Sequence, residues 1–113
     1  ADDKLLPFGE AKPGATGLEV LLPLTLKWAE AAQVDLPTAL NRITSAPAQV
    51  LGLNSGHLAV GTTADVCVFD PETNWQLTPE SLKSRGKNSP WQGYVMTGRV
   101  KATLVGGRKV YQA

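Results

Sequence analysis

The groups able to do chemistry are few and scattered. There is one histidine, His57, and one cysteine, Cys67. Adjacent carboxylates occur at Asp2 and Asp3, while Asp65 and Asp70 bracket an apolar run. Paired carboxylates are the material of general acid–base work, but a terminal pair is more often a solvated loop. A catalytic zinc usually needs three protein ligands, and one His, one Cys inside an apolar run and dispersed acids do not assemble them. Asp65 follows Gly61-Thr62-Thr63-Ala64 and opens a strand, a placement suited to bonding turn amides. Gly106-Gly107 lacks the strand-to-helix setting of a phosphate loop. Trp28, Trp75 and Trp91 could form an aromatic shelf, although isolated tryptophans in a small domain more often serve packing. On its residues alone, Pro13-Gly14 is a rigid turn ahead of a helix.

The elements that must position these groups change character midway. Ala1 to Ala15 carries Pro7, Gly9, Pro13 and Gly14 and reads as an ordered loop. Thr16 with Glu19 three residues later predicts a capping box. The helix that follows places Leu18, Leu21, Leu22, Thr25, Leu26 and Ala29 on one face. Pro23 should kink it. Val20, Leu24 and Trp28 lie off that face, so the helix is apolar nearly all round and expects burial on more than one side. A second helix is predicted from about Leu36 to Thr44, with Asp35 as cap, Pro37 in the first turn and Leu36, Leu40 and Ile43 as its buried stripe. Ser45 should cap a third, ended by Gly52, with Val50 and Leu51 packed inward.

From Gly56 the pattern is that of strands. Asp65 to Asp70 reads as a strand buried on both faces, stopped by Pro71. Thr73 to Leu77 is a short strand and Glu80 to Ser84 a helical turn. Tyr94 to Leu104 is a strand bent at Gly98. Gly106-Gly107 is a hairpin turn, with Arg108 to Tyr111 returning. Asn88-Ser89-Pro90 fixes a loop through Asn side-chain bonds to backbone, and Trp91 anchors it. By itself the chain reads as α+β, with more apolar surface than three short helices can cover.

The totals exclude some classes. The 113 residues carry 11 basic and 10 acidic side chains, net charge +1, with no basic cluster for nucleic acid. The longest apolar stretch, Leu18 to Ala32, is interrupted by Glu19, Pro23, Thr25, Lys27 and Glu30 and is too polar to cross a membrane. A single Cys allows no internal disulfide and suits a reducing cytoplasm. The start at Ala1 leaves open a cut within a longer protein or removal of an initiator Met.

Five segments together carry a family resemblance. They are Lys4-Leu5-Leu6-Pro7-Phe8 with Pro13-Gly14-Ala15-Thr16-Gly17-Leu18-Glu19, then Thr44 to Leu53, then Gly56, Leu58, Val60-Gly61, Ala64-Asp65 and Asp70, then Asn88-Ser89-Pro90-Trp91 with Gly93, and last Gly98, Val100, Thr103, Gly107 and Val110-Tyr111. In this order the chain resembles the C-terminal portion of the cyclic amidohydrolases, dihydroorotase of the class I type in particular. The resemblance implies a (β/α)8 barrel with a flanking composite β-sandwich. Residues 1–54 would be the loop after the last barrel strand and the terminal barrel helices, and residues 55–113 a portion of the sandwich.

It further implies reversible hydrolysis of the cyclic amide of dihydroorotate to N-carbamoyl-aspartate in pyrimidine biosynthesis. The chemistry would use zinc at the C-terminal face of the barrel, where metal activates water and an Asp moves the proton. The family's ligands, a His-x-His pair, a carboxylated Lys or an acid, two further His and that Asp, would all precede Ala1. No catalytic or metal-binding residue is therefore expected in this sequence, and the chain alone should be inert. The resemblance does assign Pro13 and Gly14, whose backbone would contact the substrate ring. Implied partners are the missing N-terminal part of the same protein, a second copy in a homo-oligomer, and aspartate transcarbamoylase. The same tail fits a catalytically silent dihydroorotase-like subunit. A third alternative, a free-standing binding module, requires Leu18, Leu22 and Leu26 to be covered within the chain.

Overall fold

The computed structural model describes residues 5–11 and 13–113. Asp2 and Asp3 lie outside the described residues. From Leu5, turns and bends carry the described residues to Gly17, and a single 3-10 turn, Leu18–Val20, leads into α1, Leu21–Ala31. Pro23 stands in the first turn of α1, where its missing N–H has no helical partner to lose. It therefore starts the α-helix instead of kinking a longer one. The expected capping box does not form, because no side chain caps this helix start and Glu19 is bonded elsewhere.

α1 ends by local backbone chemistry. The Val34 N–H donates to Ala29 O at 2.8 Å, with Gln33 left-handed at φ 55, the Schellman arrangement that satisfies last-turn carbonyls. α2, Leu36–Asn41, is capped as expected: the Asp35 carboxylate accepts from the Thr38 N–H at 3.2 Å. It stops short of Thr44 because residues 42–44 tighten into three-residue bonds, among them Ile43 N–H to Leu40 O at 3.1 Å. α3, Ser45–Val50, has Thr44 at its cap position, and the Ser45 hydroxyl donates instead to Gly56 O. Gly52, at φ 67, ends it.

The sheet has three antiparallel strands in the order β1-β2-β3: β1 Val66–Gln76, β2 Val95–Val105 and β3 Arg108–Gln112. Pro71 does not stop β1. The β1–β2 ladder skips from Asp70↔Arg99 to Asn74↔Thr97, and in this break on an edge strand no N–H is needed from residue 71. The expected strand from Thr73 is thus the second half of β1. Glu80 to Ser84 is no helix; Thr78 to Ser81 closes one turn, with Ser81 N–H to Thr78 O at 3.1 Å. Gly106 and Gly107, at φ 56 and 77, make the tight hairpin turn between β2 and β3.

Gly98 faces the break in the ladder at φ 101, and there α1 crosses β2. A Cβ on Gly98 would collide with Leu26 Cδ1 and lie 3.9 Å from Pro23 Cα. Only glycine lets helix and strand approach so closely. The core forms beside this crossing from Val20, Leu77, Leu82 and Met96, with Leu24, Trp75 and Trp91 packed against it.

Burial departs from the expected stripes. On the first helical segment Val20, Pro23, Thr25 and Ala29 are buried, whereas Leu18 is 87% and Leu21 51% exposed. The 3-10 turn changes the phase ahead of α1, and the contact with Gly98 selects the Pro23 side. On α2 the buried residue is Ala39, not Leu36. Val50, Leu51 and the strand residue Val68 are exposed, and so is Cys67. The chain exposes 8108 Å² for 12.0 kDa, against about 6000 Å² for a folded monomer of that mass. Its radius of gyration is 16.0 Å, against about 13 Å for a compact chain of this length.

Candidate functional site

Pro13 and Gly14 are both exposed at the surface, ahead of the 3-10 turn. Gly14 takes φ 70, and no atom lies within 4 Å of where its Cβ would stand. Glycine is required there by backbone conformation, not by crowding. Hydrogen bonds from one distant segment reach this stretch.

That segment, Lys83 to Asn88, runs antiparallel to Gly14–Glu19. The Glu19 carboxylate accepts the Lys83 N–H at 2.9 Å and the Ser84 N–H at 2.7 Å. A Cβ on Gly86 would meet Thr16 Oγ1 at 2.7 Å, so the two chains touch there. The Thr16 N–H donates to Asn88 O at 2.6 Å. The Asn88 side-chain Nδ2 reaches Gly14 O at 3.5 Å. Asn88 Oδ1 is buried without a hydrogen-bond partner among the described residues. Beyond it, Ser89 is 1% exposed and its hydroxyl accepts the Trp91 N–H at 3.3 Å, which ties this segment to the core. Partial burial raises the Glu19 carboxyl, but the Lys83 and Ser84 hydrogen bonds and the charge of Lys87 outweigh it and hold Glu19 below its ordinary 4.5.

The other candidates are dispersed. His57 is exposed, with Nδ1 3.1 Å from Ser55 O. Asp65 does bond a turn amide, but in the β2–β3 hairpin: its Oδ1 accepts the Gly106 N–H at 2.9 Å. Asp70 accepts from the Thr73 hydroxyl at 2.7 Å and the Glu72 N–H at 2.9 Å, and these bonds, the Thr73 hydroxyl first, hold it below its ordinary 3.8. Desolvation raises the Cys67 thiol, which makes it a poor thiolate. Trp28 and Trp75 line different grooves, so no common shelf forms. Trp28 borders an apolar cleft of about 600 Å³ between α1 and α2. Trp75 borders a larger one of about 1040 Å³ between the start of α1 and the sheet.

No group of three or more His, Cys, Asp or Glu that could hold a metal ion occurs among the described residues. The described residues do not fit a metal ion. The role of Asn88 in fixing a loop was readable from Asn88-Ser89-Pro90-Trp91. Its reach to Gly14 was not, and neither was the Glu19 clamp, which joins residues 64 and 65 apart with no local pattern.

The sequence model described as "Amidohydrolase family" matches residues 26–111, and the chain belongs to that family. It is 45% identical over 112 residues to a "Dihydroorotase-like protein" of Pseudomonas aeruginosa, covering 99% of this chain and 26% of that protein. It is 44% identical over 112 residues to a "Dihydroorotase" of Geobacter sp., with the same coverage. A solved structure of a D-hydantoinase superposes with a TM-score of 0.84 at 23% identity, over 98% of this chain and 25% of that one; this likeness shows the fold alone. The chain thus spans about a quarter of the length of the curated relatives it matches. Among the described residues no helix is long and apolar enough to cross a membrane.

Proposed function

We propose that this chain is the C-terminal portion of a dihydroorotase. The parent would open and close the cyclic amide of dihydroorotate, giving N-carbamoyl-aspartate, with zinc held by residues outside this sequence. Residues 1–54 would contribute the loop and helices that finish the barrel, and residues 55–113 the closing part of the sandwich. Pro13 and Gly14 would offer backbone groups to the substrate ring. The 113 residues alone would be inert.

One observation carries this reading: a likeness of 44% over 112 residues to a dihydroorotase of which the chain spans 26%. The surplus exposed area accords with it, because apolar faces left uncovered by one segment are covered by another in a larger protein. Of the three leucines a free-standing module would cover, Leu22 and Leu26 are half-buried, while Leu18, at 87% exposure, counts against it. A second reading, a catalytically silent subunit that scaffolds aspartate transcarbamoylase, draws on the relative named only "Dihydroorotase-like protein". Cytoplasmic location and a homo-oligomer belong to either reading.

The test is the protein purified from its source. Its mass should be about four times that of this chain, given the 26% coverage. Its upstream sequence should hold a His-x-His pair, and it should hydrolyse dihydroorotate, while the isolated chain should not. A parent of that size without ligands or turnover would establish the silent reading. A source protein no longer than this chain would overturn both.

A further inference from the structure

We infer that Lys83–Asn88 is a strap that positions the Pro13-Gly14 loop, with Glu19 and Asn88 as positioning residues for substrate binding. The inference rests on the proposed contact between that loop and substrate, and goes beyond it by naming what sets the loop's place.

Four features argue for a strap. Pro13 and Gly14 are exposed, and no atom lies within 4 Å of where a Gly14 Cβ would stand. Bonds from Lys83–Asn88 reach this segment in antiparallel succession, at Glu19, Thr16 and Gly14. Glu19 also stands in the first turn, where a carboxylate ordinarily serves the helix's own free amides. Here the 3-10 turn and α1 lack a side-chain cap, and the carboxylate binds the Lys83 and Ser84 amides instead. The far end of the strap is fixed to the core through buried Ser89 and Trp91. Movement of the strap therefore moves the loop, and the core registers its position.

The functional consequence is specific. Backbone contacts to a substrate ring act on ground and transition states alike, so misplacing them raises KM and leaves kcat nearly unchanged. A residue that only supports folding lowers the amount of active enzyme and leaves KM alone.

The experiment uses the full-length parent with dihydroorotate as substrate. Gly86→Ala pushes a methyl into Thr16 Oγ1 without touching the loop residues. Glu19→Ala removes the clamp, and Glu19→Gln restores one acceptor oxygen. Gly86→Ala and Glu19→Ala should raise KM about tenfold with kcat within about twofold, and Glu19→Gln should fall between Glu19→Ala and the parent. Hydrogen exchange at the Thr16 amide, which donates to Asn88 O, should quicken in the same order. Unchanged KM and unchanged Thr16 exchange in these variants would overturn the strap. Gly14→Ala separates the two ideas. If it raises KM and the strap variants do not, the strap fails alone. If Gly14→Ala leaves KM unchanged, the loop contact fails and the strap's role in binding fails with it.

Discussion

Two regions of this chain are built on opposite terms. Where the start of α1 meets β2 and the loop from Leu77 to Tyr94, side chains interlock: Val20 and Leu77 are 1% and 0% exposed, and Leu82 and Met96 4% each. From Val50 to Ala64 nothing comparable occurs. Val50 is 85% exposed, Leu51 70%, Leu58 81% and Val60 fully exposed. The apolar content is similar, so hydrophobicity does not separate them. What separates them is partners within the chain. The first region has a helix, two strands and a loop closing on one another. The second has turns that lead into the start of the edge strand β1, where Cys67 and Val68 are exposed, with no layer over it among the described residues. An exposed apolar segment of this kind accords with the proposed reading, in which further polypeptide covers it.

The contrast can be broken most forcefully in the core. Leu77→Ala should destabilise the chain by ~2–5 kcal/mol, as for other fully buried leucines. Val60→Ala should change stability by less than ~0.5 kcal/mol. Urea titration of both variants measures the difference, and equal costs would erase it. Next in size is Gly98→Ala. It forces a side chain into Leu26 at a left-handed φ of 101, and should cost about 1–3 kcal/mol in the same titration.

Asp65→Ala removes the acceptor for the Gly106 amide and should cost ~0.5–1.5 kcal/mol, read as loss of exchange protection at Gly106. Smallest is the effect of acid. Glu19 and Asp70 both titrate below their ordinary 4.5 and 3.8. A carboxylate depressed on folding stabilises fully above its unfolded value, and loses that contribution as pH falls through the folded one. Urea midpoints should therefore be flat near neutrality and decline below about pH 4, with the Lys83 and Ser84 amides exposed early. Both groups are largely solvated, which keeps the decline modest.

These regions also differ in what the sequence disclosed. Local turn chemistry was legible. Asp35 with Pro37, Gly52, and Gly106-Gly107 each do what their residue types require within a few positions. The bend at Gly98 was legible as a bend, but its cause, the approach of Leu26 from α1, is tertiary. Two local rules were overridden. Thr16 and Glu19 have capping-box spacing, yet Glu19 serves amides on the far strap. Pro71 has the look of a strand terminator, yet it falls in a ladder break on an edge strand, where it costs no hydrogen bond.

The inward packing expected of Val50 and Leu51 fails within this chain for a different reason. Under the proposed reading, apolar patterning records that a face is to be buried, not which polypeptide buries it. Of the candidate site, Pro13-Gly14 is assigned by family resemblance alone, and the bonds that tie this segment to Lys83–Asn88 were invisible because they span more than 60 residues.

The central claim is that the exposed second region is completed by other parts of a larger amidohydrolase. Hydrogen exchange measured on the 113-residue chain and on the full-length parent tests it most directly. Amides of residues 56–64 and Cys67–Phe69 should exchange at least about tenfold more slowly in the parent, while Leu77 and Met96 change little. Identical exchange in both proteins across residues 56–69 would contradict the claim.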